Sequence, residues 1–104
     1  MPKRERLPSW LAELSEEDLT FLRRFLLSSG SLKALAEEYG VSYPTVRARL
    51  DRLIAKVQTA EDPKIVDPFE RKVRLLAADG RVSAALAREL LDAYHEAAQQ
   101  RDDQ

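Results

Sequence analysis

The 104-residue chain has no cysteine, one histidine and three glycines. The first absence excludes disulfides, a cysteine zinc site and a thiol nucleophile. The second leaves a histidine-based metal cluster or catalytic triad without its parts. His95 has only Asp92 and Glu96 close by in sequence, too few ligands for a metal, and reads as a partly exposed helical residue. The glycines stand singly, so no phosphate-cradling loop is formed. Glu16, Glu17 and Asp18 are consecutive, and consecutive residues on a helix point apart, which argues against a paired-carboxylate site. No apolar run approaches the roughly 20 residues of a membrane-spanning helix. The opening MPKRERLPSW turns apolar too late and too briefly for a secretory signal. The expectation is a small cytoplasmic protein that binds rather than catalyses, with no cofactor, metal or membrane.

What is present is a folding composition, 44% hydrophobic and 34% charged. The net charge of −1 hides an uneven distribution. Residues 1–60 carry 10 basic and 8 acidic side chains, residues 61–104 carry 7 and 10. Within 42–57, Arg47, Arg49, Arg52 and Lys56 face only Asp51. Electrostatic fields act over about 8 Å at physiological salt, so this local basic stretch matters more than the average.

The apolar spacing predicts an all-α chain: a three-helix helix-turn-helix unit over 9–57, then a C-terminal two-helix hairpin over 67–99. Pro8 and Ser9 start a short turn, and Trp10 staples it to the core. Ser15 caps a helix running to about Ser28, with acids in its first turn and Asp18 at the reciprocal capping position. Its apolar residues, from Leu19 to Leu27, cover more than one stripe, so two buried sides are expected, one against the next two helices and the other against the C-terminal half or a second chain. Ser31 caps a short helix with Leu32, Leu35, Ala36 and Tyr39 inward, ended by Gly40. A third helix follows, capped by Ser42 or Tyr43, with Pro44 in its first turn and Val46, Leu50, Leu53, Ile54 and Val57 on one face. Residues 59–66 read as a linker. Asp67-Pro68 opens a helix with Phe69, Val73 and Leu76 inward. Ser83 caps a last helix to about Gln99 with Leu86, Leu90, Ala93 and Ala97 inward, and Leu91 and Tyr94 to one side. The first six residues and the tail QQRDDQ read as frayed ends.

The stretch LKALAEEYGVSYPTVRARL carries the functional signal. Small Ala36 allows close helix crossing, Gly40 accepts the positive φ of a tight turn, and Leu35, Tyr39, Val41, Val46 and Leu50 fill the wedge. This is the helix-turn-helix pattern, whose second helix lies in the major groove of double-stranded DNA. Ser42, Tyr43, Pro44, Thr45 and Ala48 are then groove-facing. Arg47 reaches either a guanine edge or a phosphate. Arg49, Arg52 and Lys56 are placed as phosphate clamps, and Lys33 near the start of the preceding helix as a backbone contact. The competing reading is that Arg47, Arg49 and Arg52 only solvate an amphipathic helix and pair with Glu37, Glu38 or Asp51.

The segment GSLKALAEEYGVSYPTVRARLDRLI, with LSEEDLTFLRRFLLSSG before it, resembles the bacterial domain-of-unknown-function family 2089 over about residues 9–57. Ser42 to Arg47, with Leu50 and Asp51, is the distinctive part. The resemblance implies a DNA-binding helix-turn-helix. Many members carry a cysteine zinc ribbon before this region; this chain has no cysteine, so a zinc-dependent role does not carry over. A more distant similarity runs to the promoter-reading helix-turn-helix of sigma factors. The C-terminal hairpin has too few large apolar residues to stand alone and must pack on the first half or on another copy; a homodimer built on it would present two recognition helices to two half-sites. The expectation is a transcriptional regulator. The alternative is a protein-interaction module on the same scaffold.

Overall fold

A computed structural model describes residues 7–102, and every regular element among them is helical. The order is α1 (Ser9–Ala12), α2 (Glu16–Leu27), α3 (Leu32–Tyr39), α4 (Tyr43–Glu61), α5 (Pro68–Ala78) and α6 (Ala84–Asp102). Local chemistry sets most boundaries. Ser15 Oγ accepts from the Asp18 N–H at 3.1 Å, and Asp18 accepts from the Ser15 N–H at 3.0 Å, a complete capping box at the start of α2. Ser31, Ser42, Asp67 and Ser83 accept in the same way from the first turns of α3 to α6. Ser42 is therefore the α4 cap, and Pro44 occupies the first turn, where its missing N–H costs nothing.

The first core contains Leu14, Phe21, Leu32, Leu35, Ala36, Val46 and Leu53, with Trp10 and Leu11 of α1 packed against it. A second, smaller core joins α5 to α6 through Val73, Ala87 and Leu91. Between them, α4 packs on α1, α3 and α5. The radius of gyration is 17.0 Å, against about 13 Å for a compact chain of this length. The molecule is thus a flat slab of 58 × 36 × 18 Å with α4 as its spine.

Several expectations need correction. Residues 59–61 belong to α4, not to a linker: Ala60 is buried, Thr59 Oγ1 donates to the Ala55 carbonyl, and Ile65 and Leu75 are buried too. Pro63 pushes only the residue before it out of helical angles, and Asp62 is extended at ψ 112°. Residues 99–102 continue α6 rather than fraying, whereas 1–6 and 103–104 lie outside the described residues. Within the single chain helix α2 buries one side, and the C-terminal half does not cover the other. The C-terminal half packs on α4 instead, leaving Leu26 and Leu27 at 68% and 79% exposed. Ile54 is also exposed, because α5 approaches α4 on its Lys56–Ala60 side.

On α5, Val73 is buried as expected and Leu76 is half-buried, but Leu75 is buried too and Phe69 is exposed. On α6 the inward face is rotated from that expected. Ala87 and Leu91 are buried while Leu86, Leu90, Ala93 and Ala97 face out. The small Ala87 permits close approach to Val73, and Tyr94 follows on the same side, stacking on Phe69 at 4.5 Å.

Candidate nucleic-acid interface

The α3–α4 turn is built on Gly40, at φ 68° and ψ 34°. The Gly40 N–H donates to the Glu37 carbonyl at 3.2 Å and the Val41 N–H to the Ala36 carbonyl at 3.0 Å, the paired bonds of a left-handed helix stop. An ideal Cβ at Gly40 would meet nothing within 4 Å, so glycine is needed there for backbone angle and not for space. Two residues later Ser42 restarts the chain as α4. Its Oγ accepts from the Thr45 N–H at 3.3 Å and lies 2.9 Å from the Thr45 hydroxyl.

This geometry leaves the opening turns of α4 exposed. Tyr43, Pro44, Thr45, Arg47 and Ala48 are all on the surface, as is Lys33 at the start of α3. Pro44, Ala48 and Asp51 share a face at helical spacing, with Arg47 at its edge. Arg47 forms an ion pair with Asp51 at 3.2 Å. Glu38 pairs instead with Arg24, whose guanidinium also sits 5.0 Å over the Tyr39 ring.

The other cations diverge from this face. Arg49 is half-buried, its guanidinium 5.4 Å over the Phe21 ring. Arg52 is exposed, but its stem lies against the α5–α6 turn, where a Cβ on Gly80 would meet Arg52 Cδ at 3.4 Å. Both arginines line a cleft with Glu17 and Asp79. Lys56 is the clear correction to the expected clamps. It is 7% exposed and its ammonium bonds Asp18 on α2 and Asp79 at the end of α5. Burial disfavours charge on both Asp18 and Lys56. Their mutual hydrogen bond and attraction outweigh it, holding Asp18 below the usual carboxylate range and Lys56 above the usual lysine value. Lys56 is a structural cross-link, facing away from any ligand on the open side of α4.

Tyr39 and Val41, expected in the wedge, are instead exposed. Tyr39 stacks on Phe21 at 6.3 Å, and with Val41, Thr45 and Arg49 it lines an open groove of about 590 Å³ against the acidic first turn of α2. Sequence reasoning also missed how α6 flanks the later turns of α4. Ala55, Gln58 and Thr59 form one wall of a groove of about 600 Å³ whose other wall includes Ala84, Arg88, Asp92 and His95. Ala55, Gln58 and Thr59 in the later turns of α4 thus face this groove, whereas the opening turns are exposed.

Residues 14–60 match the model of the family described as domain of unknown function (DUF2089)-HTH. This segment is a helix-turn-helix domain of that family. The match begins at Leu14, takes in α2, α3 and the turn at Gly40, and ends one residue short of the end of α4. No curated protein and no solved structure matches the chain. Among the described residues, no helix is long and apolar enough to cross a membrane, and no group of three or more His, Asp or Glu is placed to hold a metal ion.

Proposed function

We propose that the chain is a DNA-binding transcriptional regulator that acts in the cytoplasm as a homodimer and catalyses no reaction. The observation that carries this reading is the exposed first half of α4, set at a fixed angle to α3 by the Gly40 stop and the Ser42 cap. An α-helix presented this way fits the roughly 12 Å width of a major groove. Thr45, Arg47 and Ala48 are the side chains nearest base edges, with Ser42, Tyr43 and Pro44 at the helix entry. Arg52 and Lys33 are the phosphate contacts, and Arg49 contributes its field from beside Phe21.

The experiment is fluorescence anisotropy of mixed-sequence duplex DNA across a salt series, comparing the parent with Arg47→Ala/Arg52→Ala. The parent's log affinity falls linearly with log salt, and the variant loses roughly 0.9 of slope per phosphate contact removed. Absence of binding at low salt overturns the reading. The exposure of Leu26 and Leu27 favours a second one in that event, a protein-binding module on the same scaffold.

A further inference from the structure

Helix α6 carries two apolar stripes. One, through Ala87 and Leu91, is buried against α5. The other, Leu86, Leu90, Ala93 and Ala97, lies about a quarter-turn away and has no partner, with Leu86 43% and Leu90 41% exposed. Its residues step by four, three and four positions, the spacing at which two helices pair along a seam.

We propose that this stripe is the contact between two copies of the chain, with their α6 helices parallel. The inference deepens the dimer named above by assigning its surface, and it does not depend on DNA binding. Leu86 and Leu90, with Phe69 at 43% on α5, leave an apolar surface open in the single chain. Parallel pairing sets each stripe residue beside its own counterpart, and Ala93 and Ala97 let the backbones approach closely. Phe69, exposed beside Tyr94, extends the apolar area onto α5.

Charge selects the direction. Glu89 and Glu96 flank the seam on one edge, Tyr94 and Arg101 on the other. A parallel pair brings Glu96 to the partner's Arg101, five positions on. An antiparallel pair sets Glu89 against the partner's Glu96, with repulsion at both ends. The seam is short for an isolated coiled coil, but α6 is already held as a helix by α5, so association does not bear the cost of forming it.

Sedimentation equilibrium of the full chain without DNA tests the proposal. The expected mass is twice the 11.8 kDa of one chain. Leu90→Glu, at a site exposed in the single chain, weakens the dimer by at least about 100-fold while circular dichroism stays unchanged. Ala97→Cys, in a chain with no other cysteine, forms a disulfide-linked dimer on mild oxidation, because position 97 faces itself. In an antiparallel pair it would face position 86, roughly 16 Å along the helix, and no bond would form. A parent that is monomeric, a Leu90→Glu variant that dimerises as well as the parent, or an uncrosslinked Ala97→Cys dimer overturns the proposal. A parent that binds DNA as a monomer removes this inference and the homodimer named above, and leaves the DNA reading. A dimer of the proposed kind that ignores DNA removes only the DNA reading.

Discussion

Lys56 on α4 donates a hydrogen bond to Asp18 on the first turn of α2, and the same ammonium lies 3.3 Å from Asp79 at the end of α5. One buried cation thus ties together the helix that opens the first core, the spine and the first helix of the hairpin. Removing a single member of such a cluster leaves the remaining charges facing one another in a partly dry site. Lys56→Met is therefore expected to lower the unfolding free energy by about 3 kcal/mol, measured by urea denaturation. The same variant, under conditions where it is folded, keeps the parent's salt dependence for DNA. A reduced slope would return Lys56 to the ligand-facing set.

The ion cluster also predicts a pH profile. The Lys56 bond holds the Asp18 pKa below its unfolded value, despite the opposing effect of burial. Its stabilisation is complete above about pH 4 and is lost as pH falls through the lower folded value. Asp67 is shifted the same way, chiefly by the Tyr94 hydroxyl that donates to it at 2.6 Å, and adds to the acid limb. Lys56 is shifted up by Asp18 and Asp79 against its own desolvation. Its contribution is complete below about pH 10.4 and is lost as pH rises through the higher folded value. Thermal unfolding should show a plateau at neutral pH with a decline on each side. Asp18→Asn lowers the plateau and makes the acid limb shallower; an unchanged acid limb would remove Asp18 from it.

The helix stops and starts were legible because each is a contact between near neighbours: Ser15 with Asp18, Ser31 with Ala34, Asp67 with Phe69, and Gly40 closing α3. The turn, and with it the opening half of α4 as the candidate interface, followed from the same local chemistry. What was not legible depends on partners distant in sequence. Lys56 reads as a surface cation until Asp18 and Asp79 are brought to it. On α6, Leu86–Leu90–Ala93–Ala97 and Ala87–Leu91–Tyr94 are comparably apolar at helical spacing, and only the docking of α5 selects which is buried. Arg49 likewise reads as a clamp until Phe21 lies under it.

The left-handed turn after α2 begins one residue before its glycine. Ser29 takes the left-handed angle, φ 57°, and Gly30 follows at φ 78° and donates to the Phe25 carbonyl at 2.9 Å. A side chain at positive φ costs about 1–2 kcal/mol, partly offset because glycine gives the unfolded chain more freedom. Ser29→Gly is expected to stabilise the chain by about 0.5 kcal/mol after that offset, and Gly30→Ala to destabilise it by about 1 kcal/mol. Chemical denaturation of the two variants checks the pair. Destabilisation by Ser29→Gly would mean that the Ser29 side chain contributes more than its backbone angle costs.

Arg47 and Asp51 are bonded at 3.2 Å on the face assigned to DNA, both about half exposed. A surface pair at this spacing stabilises a helix by only about 0.3–0.5 kcal/mol, so Asp51→Asn should leave the unfolding free energy nearly unchanged. Its effect on binding is larger, because it removes a negative charge that opposes phosphate and frees the Arg47 guanidinium. Affinity for duplex DNA at low salt should rise several-fold, and the log–log slope should steepen by up to roughly 0.9 if Arg47 gains a phosphate. A rise in affinity for one sequence over others, with no change of slope, would instead assign Arg47 to a base edge. Unchanged affinity would place this face outside the interface, because a charge removed within a Debye length of the phosphates must be felt there.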